Sequence, residues 1–117
     1  MNNRKKVKTM KTSFGEIELL KVSEYAENQY RNFTNRSKKL SSETIRKKLH
    51  RDFVMGYHIA TYDEGIQLRA YGNLYIYEKD YEIIKIGCCK GRCKAHIYIN
   101  TREKKDLNLL LRIAGDR

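Results

Sequence analysis

Apolar residues recur along this chain with two different periods, and the change from one to the other falls near residue 54. Upstream the spacing is helical. Ser23 caps a helix whose first turn carries Glu24 and Glu27 and whose apolar side is Ala26, Tyr30 and Phe33. Thr34, Asn35 and Arg36 read as a break. Ser41 or Ser42 then caps a second helix, with Glu43 in its first turn and Ile45, Leu49 and Phe53 spaced by four. Ahead of both, residues 15–22 alternate loosely enough to predict one short strand.

Downstream the period falls to two. Tyr57, Ile59 and Thr61 alternate up to the turn signal Asp63-Glu64-Gly65. Over residues 66–77 the alternation places Ile66, Leu68, Ala70, Leu74 and Ile76 on one face. Gln67, Arg69, Tyr71, Asn73, Tyr75 and Tyr77 fall on the other. Gly72-Asn73 marks a bend, a bulge or a hairpin turn within this stretch. Glu78-Lys79-Asp80 reads as a turn, residues 81–88 as an isoleucine-rich strand, and Lys90-Gly91-Arg92 as another turn. Ala95, Ile97 and Ile99 alternate along a last strand. Thr101 is placed to cap a closing helix with Leu107, Leu110, Leu111 and Ala114 on one side and Gly115 as its stop. Helices grouped ahead of strands predict an α+β fold: two N-terminal helices packed on a three- to four-stranded antiparallel sheet, with a C-terminal helix. The length of 117 residues suits one domain at 14–117, preceded by a flexible basic arm at 1–13.

Charge changes this picture most. Lysine and arginine number 25 against 14 acids, a net charge of +11, and the cations lie in runs. Arg4, Lys5, Lys6, Lys8 and Lys11 precede the first acid. Arg36, Lys38, Lys39, Arg46, Lys47, Lys48 and Arg51 form a second run broken only by Glu43, and Lys90, Arg92 and Lys94 form a third. Residues 62–86 hold more acids than bases, so the charge is polarised. Runs of this kind release condensed counterions from a polyanion, which makes nucleic acid the expected partner. No segment reaches the roughly 18 to 20 consecutive apolar residues that cross a bilayer, and no apolar stretch follows the basic N-terminus. The expectation is a cytoplasmic protein with no membrane partner and reduced thiols at Cys88, Cys89 and Cys93.

Val22-Ser23-Glu24-Tyr25-Ala26 is similar to the opening Ser-x-His-Ala helix of the RelE-like and BrnT-like toxin superfamily. Leu74-Tyr75-Ile76-Tyr77 followed by Glu82-Ile83-Ile84-Lys85-Ile86 resembles its paired central strands. The resemblance covers residues 20–90 and implies a compact ribonuclease-like scaffold, of a kind found in mobile elements and paired with antitoxins. Tyr25 stands where many relatives carry histidine, and Gln29 stands near a common arginine.

Four constellations are candidates for chemistry. Metal-independent RNA cleavage needs a base, a cation for the phosphorane and an acid. His96 and Tyr98 share a face of the last strand, and Arg69 or Arg92 would supply the cation; the alternative is a solvated sheet face. Tyr71, Tyr75 and Tyr77, bordered by Arg69, would stack unpaired bases on an open sheet, which favours RNA over DNA. The alternative is cross-strand aromatic packing. Cys88, Cys89, Cys93 and His96 are enough donors for zinc, but adjacent strand cysteines point to opposite faces and the spacing fits no common knuckle, so no metal or other cofactor is expected. Finally, Arg36, Lys38, Lys39, Arg46, Lys47, Lys48 and Arg51 would line a phosphate track. A second reading is an interaction or inhibitor protein from a phage or mobile element, its basic face set against an acidic protein surface.

Overall fold

A computed structural model describes residues 9–12, 15–33, 37–88 and 100–113. Strands β1 (Thr9–Thr12) and β2 (Gly15–Glu18) form an antiparallel pair, with Met10 opposite Ile17. Part of the segment expected as an arm is therefore paired, and the single strand expected at 15–22 is divided. Its second piece, β3 (Lys21–Val22), joins a different sheet. Helix α1 (Glu24–Arg31) follows, then a 3-10 turn at Ser37–Lys39, helix α2 (Ser42–Met55), and strands β4 (Tyr57–Thr61), β5 (Gln67–Tyr71), β6 (Leu74–Lys79) and β7 (Glu82–Cys88). Helix α3 (Thr101–Leu110) closes the described chain.

The main sheet is five-stranded and mixed, in the order β3-β7-β6-β5-β4. Its four long strands are antiparallel, and the parallel member is the two-residue β3 beside β7. The α+β class is as expected; the all-antiparallel sheet is not. A two-residue strand cannot satisfy all the outward groups of β7, and α1 supplies what is missing. Ser23 Oγ donates to the Ile84 carbonyl at 3.2 Å, and the Ile86 amide donates to Gln29 Oε1 at 2.9 Å. The same Ser23 Oγ caps α1 by accepting from the Ala26 amide at 3.0 Å.

The hairpins decide which side chains face the helices. Tyr71 pairs directly with Leu74 across a two-residue turn, Gly72-Asn73, in which Gly72 has φ +59°. Directly opposed residues share a face, so the turn inverts the alternation expected for an unbroken strand. Arg69 lies opposite Ile76, and Ala70 lies opposite Tyr75. The face toward the helices is therefore Arg69, Tyr71, Leu74 and Ile76, while Leu68 and Ala70 share the other face with Tyr75 and Tyr77. This corrects the expectation that Leu68, Ala70, Leu74 and Ile76 lie together.

A second register change lies in β7. Tyr77 pairs with Lys85 and Glu78 with Ile83, which leaves Ile84 as a bulge. The extra residue lets Ile83 and Ile86, three apart, both point to the helices. Glu78 and Lys79, expected in a turn, belong to β6. The turn itself is Asp80-Tyr81, both with positive φ, and the Tyr81 amide donates to Glu78 Oε2 at 2.9 Å.

The core joins Ala26 and Tyr30 of α1, Ile45, Leu49 and Phe53 of α2, Leu74 and Ile76 of β6, and Ile83 and Ile86 of β7. Each fully buried aliphatic side chain contributes roughly 1.5–3 kcal/mol. A smaller cluster of Leu19, Leu111 and Ile113 ties the strand crossing to the end of α3. Asn100, not Thr101, caps α3 by accepting from the Glu103 amide at 3.0 Å. The helix ends at Leu110, where Arg112 takes φ +58° and the Ile113 amide donates back to the Asn108 carbonyl at 2.8 Å. Ala114 and Gly115, expected on the helix face and at its stop, lie outside the described residues, as do the turn at Lys90-Gly91-Arg92 and the strand expected at Ala95, Ile97 and Ile99.

Candidate functional site

Helix α2 carries the densest basic run, and its geometry divides that run in two. Ser41 Oγ accepts from the Thr44 amide at 3.1 Å and sets the start of the helix. From there Ile45, Leu49 and Phe53 turn to the sheet, and residues beside that stripe sit at the edge of the core. Arg46 and His50, four apart, lie on one flank. Arg46 Nε donates to the Leu20 carbonyl at 2.8 Å and Nη2 to the Leu19 carbonyl at 3.5 Å. The Leu20 amide donates to His50 Nδ1 at 3.1 Å. Together the two side chains grip both polar groups of Leu20 where the chain crosses from β2 to β3. Burial lowers the Arg46 pKa. Burial first, and the Arg46 charge second, lower that of His50 to about 4, so the imidazole is neutral near pH 7.

Arg51 is on the opposite flank. It was expected on the phosphate track and is instead 2% exposed. Nε and Nη2 reach Asp52 Oδ1 at 2.8 and 2.6 Å, and Nη1 donates to Asn108 Oδ1 of α3 at 2.8 Å. The guanidinium joins α2 to α3 from inside. Helical periodicity makes every residue between core positions look solvent-facing; it does not register that α3 packs on that flank and buries it.

The lysines divide between the outer surface and the edge of the core. Lys38 and Lys39, in the 3-10 turn ahead of α2, are exposed. Lys47 is half-buried and 3.4 Å from Glu43, one turn back, and Lys48 is half-buried beside it. Arg102 and Lys105 of α3 are exposed in the same helix layer. Exposed acids accompany them on the helices, at Glu24, Glu43, Glu103 and Asp106, and recur at the turns of the sheet. Asp63, Glu64 and Asp80 are exposed there, and residues 62–86 hold five acids against three bases.

The tyrosine platform does not assemble as expected, because the Gly72-Asn73 turn separates its members. Tyr71 faces the helices, its ring 5.7 Å from the Arg51 guanidinium and 5.8 Å from Lys104 Nζ. Tyr75 and Tyr77 are half-buried on the opposite face, where Lys85 lies 5.3 Å from the Tyr77 ring. Arg69 also faces the helices. Its guanidinium stacks 4.2 Å from the Phe53 ring centroid, and Nη1 donates to the Phe53 carbonyl at 2.8 Å. It thus stands apart from Tyr75 and Tyr77, which it was expected to border. Gly56 permits this approach: a Cβ there would meet the Arg69 Cβ at 3.0 Å.

His96, Tyr98 and Arg92 of the expected cleavage set, and Arg36 of the expected phosphate track, lie outside the described residues. So do Cys89 and Cys93; Cys88 is exposed. Among the described residues no group of three or more histidines, cysteines or acids is placed to hold a metal ion, and no helix is long and apolar enough to cross a membrane. Two residues outside the candidate constellations, His50 and Tyr81, line the helix–sheet seam. His50 was signalled by its four-residue spacing from Arg46. Tyr81 carried no local signal, since a tyrosine at φ +66° is not what a tight turn predicts. Comparison with protein-family models, curated proteins and solved structures finds no match to this chain.

Proposed function

We propose that this protein binds nucleic acid through the phosphate backbone, with the lysines of the helix layer as its contacts. The carrying observation is the net charge of +11 together with exposed cations on the helix layer. Lys38, Lys39, Arg102 and Lys105 are exposed there, and Lys47 and Lys48 of α2 are half-buried. An excess of accessible cations gains counterion-release free energy from a polyanion. Arg46 and Arg51 hold the scaffold, so the proposed contacts are the lysines.

The preference for RNA rested on a three-tyrosine platform, which is reduced to Tyr75 and Tyr77 on the face away from these lysines. The proposed mode is therefore sequence-independent backbone binding by a cytoplasmic protein. A kinship with RelE-like and BrnT-like toxins, and cleavage through His96 and Tyr98, belong to this proposal on the sequence pattern alone.

The test is fluorescence anisotropy with single-stranded RNA and DNA across a salt series. The expected result is saturable binding that falls log-linearly with salt, with a slope of about −0.7 per phosphate contact. Absent or salt-insensitive binding overturns the proposal. A nuclease-resistant complex with an acidic protein, recovered in its place, establishes the inhibitor reading. Loss of intact RNA that requires His96 extends the proposal to catalysis.

A further inference from the structure

An open pocket of about 300 Å³ lies at the seam between α2, β5 and the β6–β7 turn, away from the exposed lysines. Phe53, Val54 and Tyr81 form much of its wall. Val54 and Tyr81 are 48% and 52% exposed and stand at its lip, with the exposed Glu18 beside them. Two polar side chains line it as well, Arg69 and His50. Arg69 commits Nη1 to the Phe53 carbonyl, but its Nε is buried with no hydrogen-bond partner among the described residues. A buried guanidinium N–H without an acceptor is costly, and a ligand oxygen relieves that cost. His50 accepts the Leu20 amide on Nδ1, which places the remaining proton on Nε2 as a second donor. The pocket thus combines an apolar wall, one cation, a carboxylate at the lip and a buried guanidinium N–H without an acceptor. An apolar cavity with a few convergent polar groups is the usual form of a small-ligand site.

We propose that this pocket binds a small monocarboxylate with an apolar body. The carboxylate sits against Arg69 and His50, and the hydrocarbon lies along Phe53, Val54 and Tyr81. A planar carboxylate suits a guanidinium edge. Glu18 at the lip disfavours a longer polyanion, so nucleic acid is not the expected occupant. The site is independent of the lysine surface, and either proposal stands if the other fails.

The test is an amide chemical-shift titration of the full chain with sodium octanoate, using 1-octanol and sodium acetate as controls for charge and chain. Saturable shifts at Leu20, Phe53 and Tyr81, with octanoate at least about tenfold tighter than either control, are expected. Arg69→Gln is expected to weaken octanoate about tenfold. Because Arg69 also anchors α2, Val54→Trp provides a second variant: it fills the lip from an exposed position, so the melting curve should hold while octanoate binding is lost. Equal affinity for octanol, shifts confined to the lysine-bearing surface, or unchanged binding by a folded Val54→Trp variant each overturn the proposal.

Discussion

The two flanks of α2 and its outer surface draw on one run of cations and use them in opposite ways. Arg46 and Arg51 turn inward, each holding fixed oxygen acceptors: two backbone carbonyls for Arg46, and Asp52 with Asn108 for Arg51. Lys38 and Lys39, ahead of α2, remain at the surface, and Lys47 and Lys48 are half-buried without reaching into the core. A planar guanidinium presents several donors in fixed directions and is weakly hydrated, so it survives burial among oxygens. An ammonium is strongly hydrated and costs more to bury. The division means that a basic run can be half scaffold and half binding surface, and that its charge overstates what a partner can touch.

The comparison breaks first at Arg51. Replacing it with alanine leaves Asp52 buried without its guanidinium and is expected to destabilise the fold by about 3–5 kcal/mol, read from the urea midpoint. A loss within experimental error would place Arg51 with the surface lysines and undo the contrast.

Next in size is the pH dependence of His50. Unfolded, the imidazole takes its proton near its ordinary value of 6.5; folded, it does so only near 4. Between those values the unfolded chain binds more protons, so stability is complete above about pH 6.5 and declines as pH falls toward 4. The loss is up to about 3 kcal/mol. Urea unfolding of wild type and His50→Gln at several pH values checks this, because the variant should lack that slope.

Arg46→Ala removes the hydrogen bonds to the Leu19 and Leu20 carbonyls and should cost about 1–3 kcal/mol in thermal denaturation. Ser41→Ala, which strips the cap from α2, should cost about 1 kcal/mol by the same measurement. The smallest effect on stability is expected from the lysines. Changing Lys38 and Lys39 to glutamine should move stability by no more than about 0.5 kcal/mol while weakening nucleic-acid binding and flattening its salt slope. A pair of glutamines that unfolds the protein, or leaves binding unchanged, would erase the distinction from the other side.

The sheet shows the same division between what is local and what is not. Alternation identified residues 66–77 as strand, and Gly72-Asn73 marked the possible turn within it. The face of every residue beyond that point depended on whether the turn formed, because a two-residue hairpin inverts the parity. Arg69 and Tyr71 were thereby drawn to the helices, and the expected tyrosine platform lost a member. The pocket was less legible still. Its residues come from the β2–β3 crossing, the end of α2, the middle of β5 and the β6–β7 turn, and no spacing along the chain links them.

The sequence by itself determined the α+β class, the cap of α1, the apolar stripe Ile45–Leu49–Phe53 and the predominance of cations, since each is carried by composition or by residues within a few positions of one another. Tertiary structure alone decided which cations are buried, which sheet face each tyrosine occupies, and that His50 and Arg69 meet at one pocket. Those outcomes depend on which distant surface comes to rest on a given side chain, and burial, unlike periodicity, is a property of the neighbour as much as of the residue.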